Sequence, residues 1–407
     1  MFSQAFMRYI NNFRGFSREI WILTLITFIN RAGTMVLPFL SKYLKEDLHF
    51  SYDQVGWILV SFGCGSMAGS WIGGKLSDKI GFYKVMVFSL FSTGILFFGL
   101  QFVTSFEGLC FAMFGIMVIA DMFRPAMFVS LGAYAKPENR TRALTLVRLA
   151  VNLGFAAGPA LGGLIITGIG YKGLFWADGA SCIISILIFY ILVKEKKKSK
   201  EPETFLEEPL KKRSVWNDAT FIIFLFTSFT TAMVFFQLFT TLPLYHREAY
   251  GLTELHTGLI MSFNGLMVFF MEMPIVGYFE RKNFPKIKII IWGSLFFAAS
   301  FFVLLINVWI GILLLSVVLL TFGEMFCFPL ANSFALSRAP RGQEGKYMAL
   351  YTMTFSMAHI LSAKTGMTII SHEHGGYNVN WFFMGCAALL AAAATLWVKN
   401  RLKNETA

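Results

Sequence analysis

The sequence predicts an all-α membrane protein whose twelve transmembrane helices form two bundles of six, related by a pseudo-twofold axis along the membrane normal. Three observations predict this fold. Hydrophobic residues make up 56% of the 407 residues and charged residues only 14%. The apolar residues form blocks of about 20, the length that a helix needs to cross a hydrocarbon core about 30 Å thick. A strongly charged segment divides these blocks into two equal sets.

Twelve apolar blocks are the predicted membrane-spanning helices, called spans one to twelve. A helix suits a span because it satisfies its own backbone hydrogen bonds away from water. In chain order the spans are residues 20–41, 54–74, 83–104, 108–134, 143–169, 174–193, 219–245, 255–279, 286–306, 308–336, 346–370 and 378–398.

Basic residues are concentrated on one predicted side of the membrane. Most of the 35 Lys and Arg residues flank the two chain ends or follow even-numbered spans, whereas the opposite loops hold only Lys42, Lys45, Lys172 and Arg247. The positive-inside rule then places both termini in the cytoplasm. It also accounts for the net charge of +12 without a nucleic-acid partner. The predicted location is the plasma membrane, the inner membrane of a bacterium.

Residues 194–218 are the predicted cytoplasmic linker between two bundles, residues 1–193 and residues 219–407. The linker mixes Lys and Glu with two Pro residues and cannot bury a core. The bundles look like internal repeats, because Gly74 and Gly277 are as far apart in the chain as Asp121 and Glu324. Parallel repeats of this kind place a substrate cavity at the bilayer midplane.

Charged residues inside the spans are the main functional candidates, since each costs at least about 2.5–3.5 kcal/mol on insertion scales and needs a cavity or a partner. They are Arg31, Arg124, Arg148, Lys364, Asp121, Asp178, Glu272 and Glu324. Arg31, Asp121, Arg124 and Glu324 lie near the predicted midplane. The other four lie nearer the two surfaces and are candidate gate charges.

The midplane residues have distinct predicted roles. Asp121 and Arg124 are three residues apart and are predicted to share one helix face. Glu324 and Asp121 are the candidate proton-coupling residues. Arg124 would keep Asp121 ionised, whereas no basic residue lies within a turn of Glu324 in the sequence, so Glu324 is the better candidate proton carrier. Arg31, Arg124 and Glu324 are the candidate substrate-binding residues. The alternative for Asp121 and Arg124 is a purely structural ion pair, and His359 is predicted to be a satisfied polar residue rather than a proton relay.

The stretch GKLSDKIGFYK, residues 74–84, is similar to the signature loop after span two of the major facilitator superfamily. The matching residues are Gly74, Asp78, Lys79, Gly81 and Lys84, while Phe82 and Tyr83 stand where a basic residue is common. The resemblance extends over essentially the whole chain and implies a secondary transporter.

The same stretch has a physical interpretation of its own. Gly74 would let another helix approach closely because it lacks a Cβ. Asp78, at a helix end, would interact with the positive end of a neighbouring helix dipole. The loop is therefore a predicted conformational latch, and the alternative is an ordinary turn with a capping Asp.

Span five contains GFAAGPALGG, residues 154–163, which looks like the glycine-rich motif of drug:proton antiporters in the same superfamily. Its small residues lie along one helical stripe, and the proline loosens the backbone hydrogen bonding. The residues concerned are Gly154, Gly158, Pro159, Gly162 and Gly163. The resemblance implies an antiporter hinge, and tight helix packing is an equal alternative.

Two further elements look like those of proton-coupled peptide transporters. They are FRPA at 123–126 and GEMFCFP at 323–329, and Arg31 stands where that family has a first-span Arg. The two acids that precede this Arg in the family are here Thr27 and Asn30. Their loss disfavours peptide uptake and leaves the span-five motif favouring export.

These features predict a secondary transporter, not an enzyme, that exports small amphiphilic compounds in exchange for protons. Proton-coupled uptake of a zwitterion such as a di- or tripeptide is the alternative, and a non-transporting membrane receptor is a remote one. No cofactor and no metal site are predicted, because His372 and His374 alone have ligand-like spacing and suit a solvated loop. The predicted partners are a small-molecule substrate, protons and the lipid bilayer, with the protein acting as a monomer.

Overall fold

The computed structural model describes residues 15–135, 140–196, 215–306, 309–340, 344–371 and 375–406, and within these ranges the fold is all-helical. Eleven helical segments there are long and apolar enough to cross a membrane. A further 27-residue helix, Glu344–Ile370, corresponds to predicted span eleven. The all-α membrane class is therefore confirmed. Residues 197–214 of the predicted linker, together with His372 and His374, lie outside the described ranges.

The described residues form fifteen α-helices. Apart from these helices, Tyr43–Asp47 form a π-helical turn and Val215–Asn217 a short 3₁₀ turn. The α-helices are numbered along the chain. In chain order they are α1 (Arg18–Gly33), α2 (Val36–Lys42), α3 (Tyr52–Ile80), α4 (Phe82–Leu100), α5 (Phe106–Ala120), α6 (Phe123–Tyr134), α7 (Arg140–Ile169), α8 (Lys172–Leu192), α9 (Ala219–Phe236), α10 (Thr241–Glu248), α11 (Glu254–Arg281), α12 (Lys286–Val303), α13 (Gly311–Arg338), α14 (Glu344–Ile370) and α15 (Gly376–Thr406).

Three spans that the sequence predicts as continuous are interrupted. Span one is divided into α1 and α2, span four into α5 and α6, and span seven into α9 and α10. In each case the third residue of the new helix is a proline, namely Pro38, Pro125 or Pro243. A proline is tolerated in a first turn because its missing N–H has no partner there. It also leaves the carbonyl four residues earlier without its usual helical donor, which favours an interruption at that point.

Packing divides the chain into two compact units. The first unit comprises Met1–Leu37 and Cys64–Pro202, and the second comprises Pro38–Gly63 and Glu203–Ala407. In the first unit, α1 packs against α7 and α8, and α4 packs against α8. In the second unit, α12 packs against α13 and α15, and α9 packs against α14 and α15. Each unit has its own core of buried apolar side chains.

A stripe of glycines on α3 allows the backbone of span four to approach closely within the first unit. The glycine stripe consists of Gly65, Gly69 and Gly73, four residues apart and therefore on one helix face. An added Cβ would lie 2.4 Å from the carbonyl oxygen of Phe114, 2.3 Å from that of Val118 and 2.5 Å from the Cα of Met122, respectively. Small residues at this spacing are typical of closely packed membrane helices. The stripe therefore fixes α3 against α5 and the start of α6.

Candidate functional site

Three of the predicted midplane residues come together in the first unit. Arg31 lies in the last turn of α1, with its guanidinium carbon 5.6 Å from the ring centre of Phe155 on α7. Arg31 and Arg124 both lie close enough to the Asp121 carboxylate to interact with it electrostatically. Two guanidinium groups around one carboxylate leave a net positive charge, which suits the binding of an anionic group.

Asp121 lies where span four is interrupted. It caps the C-terminal end of α5, and Arg124 belongs to the first turn of α6, with its side chain exposed. Span four is therefore not one unbroken helix between these two residues, and their placement on one face stays a prediction. The hydroxyl group of Ser66 on α3 donates a hydrogen bond to the Asp121 carboxylate. The glycine stripe makes this contact possible because it brings α3 against α5.

The glycine-rich motif of span five packs against α1 at Arg31. An added Cβ on Gly154 would lie 2.5 Å from the Cβ of Arg31, and one on Gly158 would lie 3.1 Å from the carbonyl oxygen of Ala32. Helix α7 continues through Pro159, and both Gly162 and Gly163 are buried. The motif thus sets the position of the Arg31 backbone. Its role as an antiporter hinge stays a prediction.

Glu324 lies in the second unit, partly buried on α13, which continues without a break past it. The side-chain amide of Asn264 on α11 donates hydrogen bonds to the Glu324 carboxylate at 3.1 Å and to the Thr321 hydroxyl at 2.8 Å. Asn264 is itself buried. Sequence reasoning missed this residue, although an amide within the apolar run GLIMSFNGLMVFF was a signal that a polar partner lies nearby.

The two candidate proton-coupling residues, Asp121 and Glu324, each accept a hydrogen bond from a side chain two spans earlier. Ser66 on span two donates to Asp121 on span four, and Asn264 on span eight donates to Glu324 on span ten. Each carboxylate is thus held by a neutral donor from the helix two spans earlier. Two arginines also act on Asp121.

Asp178 stabilises the interruption in span one. Its two carboxylate oxygens accept hydrogen bonds from the backbone N–H groups of Met35, at 2.8 Å, and Val36, at 3.2 Å. These donors belong to the start of α2, where a negative charge is favourable. Its observed partners are therefore backbone amides. Of the other predicted gate charges, Glu272 is buried on α11 and Arg148 is exposed on α7.

A set of polar contacts joins the ends of spans one and two to spans seven, eight, eleven and twelve within the second unit. Lys42 pairs with Glu254 at 3.2 Å, and Arg247 pairs with Glu46 at 3.6 Å. Lys364 pairs with Asp53, and Tyr52 and Tyr377 both donate to one oxygen of Glu248, at 2.6 and 2.8 Å. We call this set the polar girdle; it consists of Lys42, Glu46, Tyr52, Asp53, Arg247, Glu248, Glu254, Lys364 and Tyr377.

The predicted latch occupies the end of α3 and the start of α4. Asp78, Lys79 and Lys84 are exposed, and Gly81 has a φ of 94°, which a side chain would disfavour. An added Cβ on Gly74 meets nothing within 4 Å among the described atoms. The close helix approach expected at Gly74 is found instead one residue earlier, at Gly73.

A second ionic cluster, not anticipated from the sequence, ties the ends of the second unit's helices together. Arg338 at the end of α13 donates to Asp218 at 2.8 and 2.9 Å and to Glu405 on α15 at 2.6 Å. Thr220 donates to Glu405 at 2.7 Å, and Tyr347 on α14 donates to Asp218 at 3.3 Å. Asp218 also caps α9 by accepting the N–H of Phe221.

We expect Asp218→Asn to reduce the acid sensitivity of the fold. Burial acts to raise the pKa of Asp218, but the hydrogen bonds from Arg338 and from the Phe221 N–H outweigh it and hold the pKa below its ordinary value. A carboxyl group with a lowered folded-state pKa stabilises the protein above its unfolded value of about 3.9, and this contribution is lost as the pH falls through the folded value. Thermal unfolding should therefore show a drop in Tm below about pH 4 that is smaller in Asp218→Asn.

The control for this measurement is Asp47→Asn, which removes an exposed carboxyl group. It should retain the wild-type drop in Tm. An equal drop in all three proteins would contradict the assignment of this acid sensitivity to Asp218.

Comparison with known sequences gives a consistent result over most of the chain. A profile described as Major Facilitator Superfamily matches residues 20–363. The chain is 24% identical over 393 residues to the uncharacterized MFS-type transporter YttB of Bacillus subtilis (strain 168), covering 95% of this chain and 96% of that protein. It is 23% identical over 328 residues to the quinolone resistance protein NorA of Staphylococcus aureus (strain Mu50 / ATCC 700699), covering 78% and 82%.

Solved structures with a similar fold include transporters of different kinds. A POT family transporter in complex with 5-aminolevulinic acid has a TM-score of 0.80 at 16% identity, covering 96% of this chain and 97% of that chain. The nucleoside transporter NupG has a TM-score of 0.72 at 13% identity, covering 94% and 100%. At such identities the likeness shows the fold. No group of three or more potential metal ligands occurs in the part of the chain that the structure describes.

Proposed function

The chain belongs to the Major Facilitator Superfamily, and from this premise we propose that it exports small amphiphilic compounds in exchange for protons. As a member of the superfamily it is a multi-pass membrane transporter of a small molecule, not an enzyme. We further propose that its twelve spans form two bundles of six in a bacterial inner membrane, with both termini in the cytoplasm. Alternating access would then expose the midplane residues to each side in turn.

The observation that carries the proposal is the environment of Glu324. The carboxylate is partly buried in the second unit, and a neutral amide, Asn264, donates to it. Desolvation favours the protonated form of a carboxyl group. A conformation that encloses Glu324 more fully therefore binds a proton more tightly, and this difference couples proton binding to the conformational equilibrium.

Three observations favour export of amphiphilic compounds. The span-five motif looks like that of drug:proton antiporters, and the similar protein NorA is named for quinolone resistance. Thr27 and Asn30 replace the two acids of the peptide transporters, and both have local partners here. The Thr27 hydroxyl donates to the Leu23 carbonyl at 2.7 Å, and the Asn30 amide lies 3.6 Å from the sulfur of Cys182.

Uptake of a zwitterion is the second candidate. The first unit has an excess of positive charge at Arg31, Arg124 and Asp121, and the second unit has the carboxylate of Glu324 with the amide of Asn264. The excess of positive charge in the first unit suits a solute that bears a carboxylate, as a zwitterion does. The structural likeness to POT family transporters is compatible with this candidate.

Transport into proteoliposomes under an imposed pH gradient distinguishes the two candidates. One set of vesicles should be tested with lipophilic cations and the other with dipeptides. Lipophilic cations that move in the direction opposite to the flow of protons support the export proposal. Dipeptides that accumulate on the side to which protons move support the alternative, and the absence of any flux coupled to the gradient would overturn both.

Arg31→Lys should weaken binding of a substrate that bears a carboxylate. A guanidinium group binds a carboxylate through two parallel hydrogen bonds, which an ammonium group reproduces poorly. We expect the Kd to rise by about tenfold or more, the effect of losing one charge-assisted hydrogen bond. Arg148→Lys is the matched control, because Arg148 is exposed on α7 and should leave the Kd unchanged. A substrate that binds equally well to wild type and Arg31→Lys would show that Arg31 does not select a carboxylate.

The polar girdle is suited to act as the outer gate. In the orientation predicted from the basic residues, it faces the outside. Its contacts join one end of these helices, and the ion pair of Lys42 with Glu254 is largely shielded from water. We therefore assign the closing of this side to the polar girdle, with Lys364 as one of the charges that hold it.

A further inference from the structure

His246, at the end of span seven, is buried in a way that its chemistry does not explain. The residue is fully buried on α10, and neither ring nitrogen has a hydrogen-bond partner among the described residues. A neutral imidazole carries one donor and one acceptor. Leaving a buried polar group without a hydrogen bond destabilises the folded state. Such a group in a folded protein calls for a functional explanation.

The neighbour of His246 is the buried cation of the polar girdle. Lys42 has no exposed surface, its ammonium group lies 3.2 Å from Glu254, and it is close enough to His246 to interact with the ring electrostatically. Glu46 and Arg247 form the adjacent pair. On α14, which also packs against α10, Lys364 is paired with Asp53. Each of these cations thus has an acidic partner, and the surroundings of His246 are close to neutral only while the ring itself is neutral.

Protonation of His246 would change this balance. An imidazolium group would place a second positive charge next to the Lys42 ammonium group in a space of low polarity, where repulsion between charges is strong. The cost is relieved when the girdle separates and water reaches both cations. Closed and open forms of the polar girdle therefore bind a proton at His246 with different affinity, and acid must favour the open form.

We propose that His246 is a second proton-binding site, at which a proton taken from the outer solution opens the polar girdle by repelling Lys42. The inference rests on the proposed role of the polar girdle as the outer gate. The site is separate from Glu324, and the inference does not depend on the coupling role assigned to that residue. Closure requires the imidazolium to return its proton to water, after which Lys42 and Glu254 can pair again. Outside acidity thereby regulates how long the girdle stays open.

Distance measurements between two spin labels test the proposal on the full-length protein in lipid nanodiscs. The labels are placed at Asp47→Cys and Ala249→Cys, two exposed positions on either side of the girdle, in a background with the five native cysteines replaced. On going from about pH 8 to about pH 5, the range in which histidine titrates, we expect the ratio of long to short distances to rise about tenfold. That rise corresponds to a difference of one pKa unit between the two forms.

Matched variants identify the group responsible. His246→Phe should retain the short distance at both pH values, and His246→Gln provides a second neutral variant if the first folds poorly. His256→Phe removes an exposed histidine from the first turn of α11, the turn that contains Glu254, and should respond as wild type does. Lys42→Met removes the repelled partner and should reduce the response.

The outcomes separate this site from Glu324. A Glu324→Gln protein that still opens in acid supports the proposal even if that variant has lost transport. An unchanged acid response in His246→Phe and His246→Gln would overturn it. It would also be overturned by a wild-type protein whose distances do not change between the two pH values.

Discussion

Glu324→Gln is expected to abolish substrate accumulation driven by a pH gradient, while substrate exchange down its own gradient continues. The glutamine resembles the protonated carboxyl group in size and charge, so the conformational change that protonation permits remains available. The Asn264 side chain can rotate to present its carbonyl oxygen to the new amide group, which preserves the local packing. Coupling is lost because no proton can bind or leave.

Proteoliposome assays separate the two activities. Accumulation is measured with the pH gradient as the only driving force, and exchange is measured with labelled substrate on one side and unlabelled substrate on the other. Asp121→Asn is the comparison, since Asp121 interacts with Arg31, Arg124 and Ser66 and should impair binding at every pH. Accumulation by Glu324→Gln under the pH gradient would exclude Glu324 as the coupling group. Asp121, Glu272 and His359 would then be the candidates for that role.

Gly69→Leu is expected to prevent assembly of the first unit almost completely. The Cβ alone would lie 2.3 Å from the carbonyl oxygen of Val118, and backbone atoms cannot move aside as a flexible side chain can. Helix α3 would have to separate from α5, which removes the hydrogen bond from Ser66 to Asp121. Overpacking commonly costs about 1–3 kcal/mol and more against rigid neighbours, a large part of the stability of a domain.

The measurement is the yield of monodisperse protein after detergent extraction, compared with Gly74→Leu. Gly74 lies on the same helix and receives the same side chain, but an added Cβ there meets nothing within 4 Å among the described atoms. We expect Gly74→Leu to give a near-normal yield and Gly69→Leu to give little folded protein. Equal yields would mean that the glycine stripe does not determine the packing of α3.

The membrane class of the fold was predictable because it depends on length and apolarity alone. Each apolar block had to be helical, since no other single segment satisfies its backbone in lipid. The interruptions were not predictable from prolines, because Pro159, Pro274 and Pro329 lie within continuous helices while Pro38, Pro125 and Pro243 follow breaks. The broken spans are distinguished by their contacts with other helices. The Asp178 carboxylate, for example, accepts hydrogen bonds from the backbone N–H groups of Met35 and Val36 at the break in span one.

The sequence was sufficient to predict the charged residues of the candidate site. It was not sufficient to predict the neutral residues that donate hydrogen bonds to them. Arg31, Asp121 and Glu324 are conspicuous because charges are rare in apolar spans. Ser66 and Asn264 are ordinary polar residues in a sequence, and only the packing of α3 and α11 shows which carboxylate each one contacts. The glycine stripe was overlooked for the same reason, since spacing alone does not reveal which face of a helix meets a neighbour.

The division of the chain into units has a consequence for how the protein can be dissected. The polypeptide chain leaves the first unit after Leu37, soon after the break in span one. It returns to that unit at Cys64, in the middle of α3. Residues 38–63 therefore pack against segments that lie more than a hundred residues later in the chain. A gene cut in the linker would produce an N-terminal fragment with these surfaces uncovered, so the two fragments should become soluble in detergent and resistant to proteases only when they are expressed together.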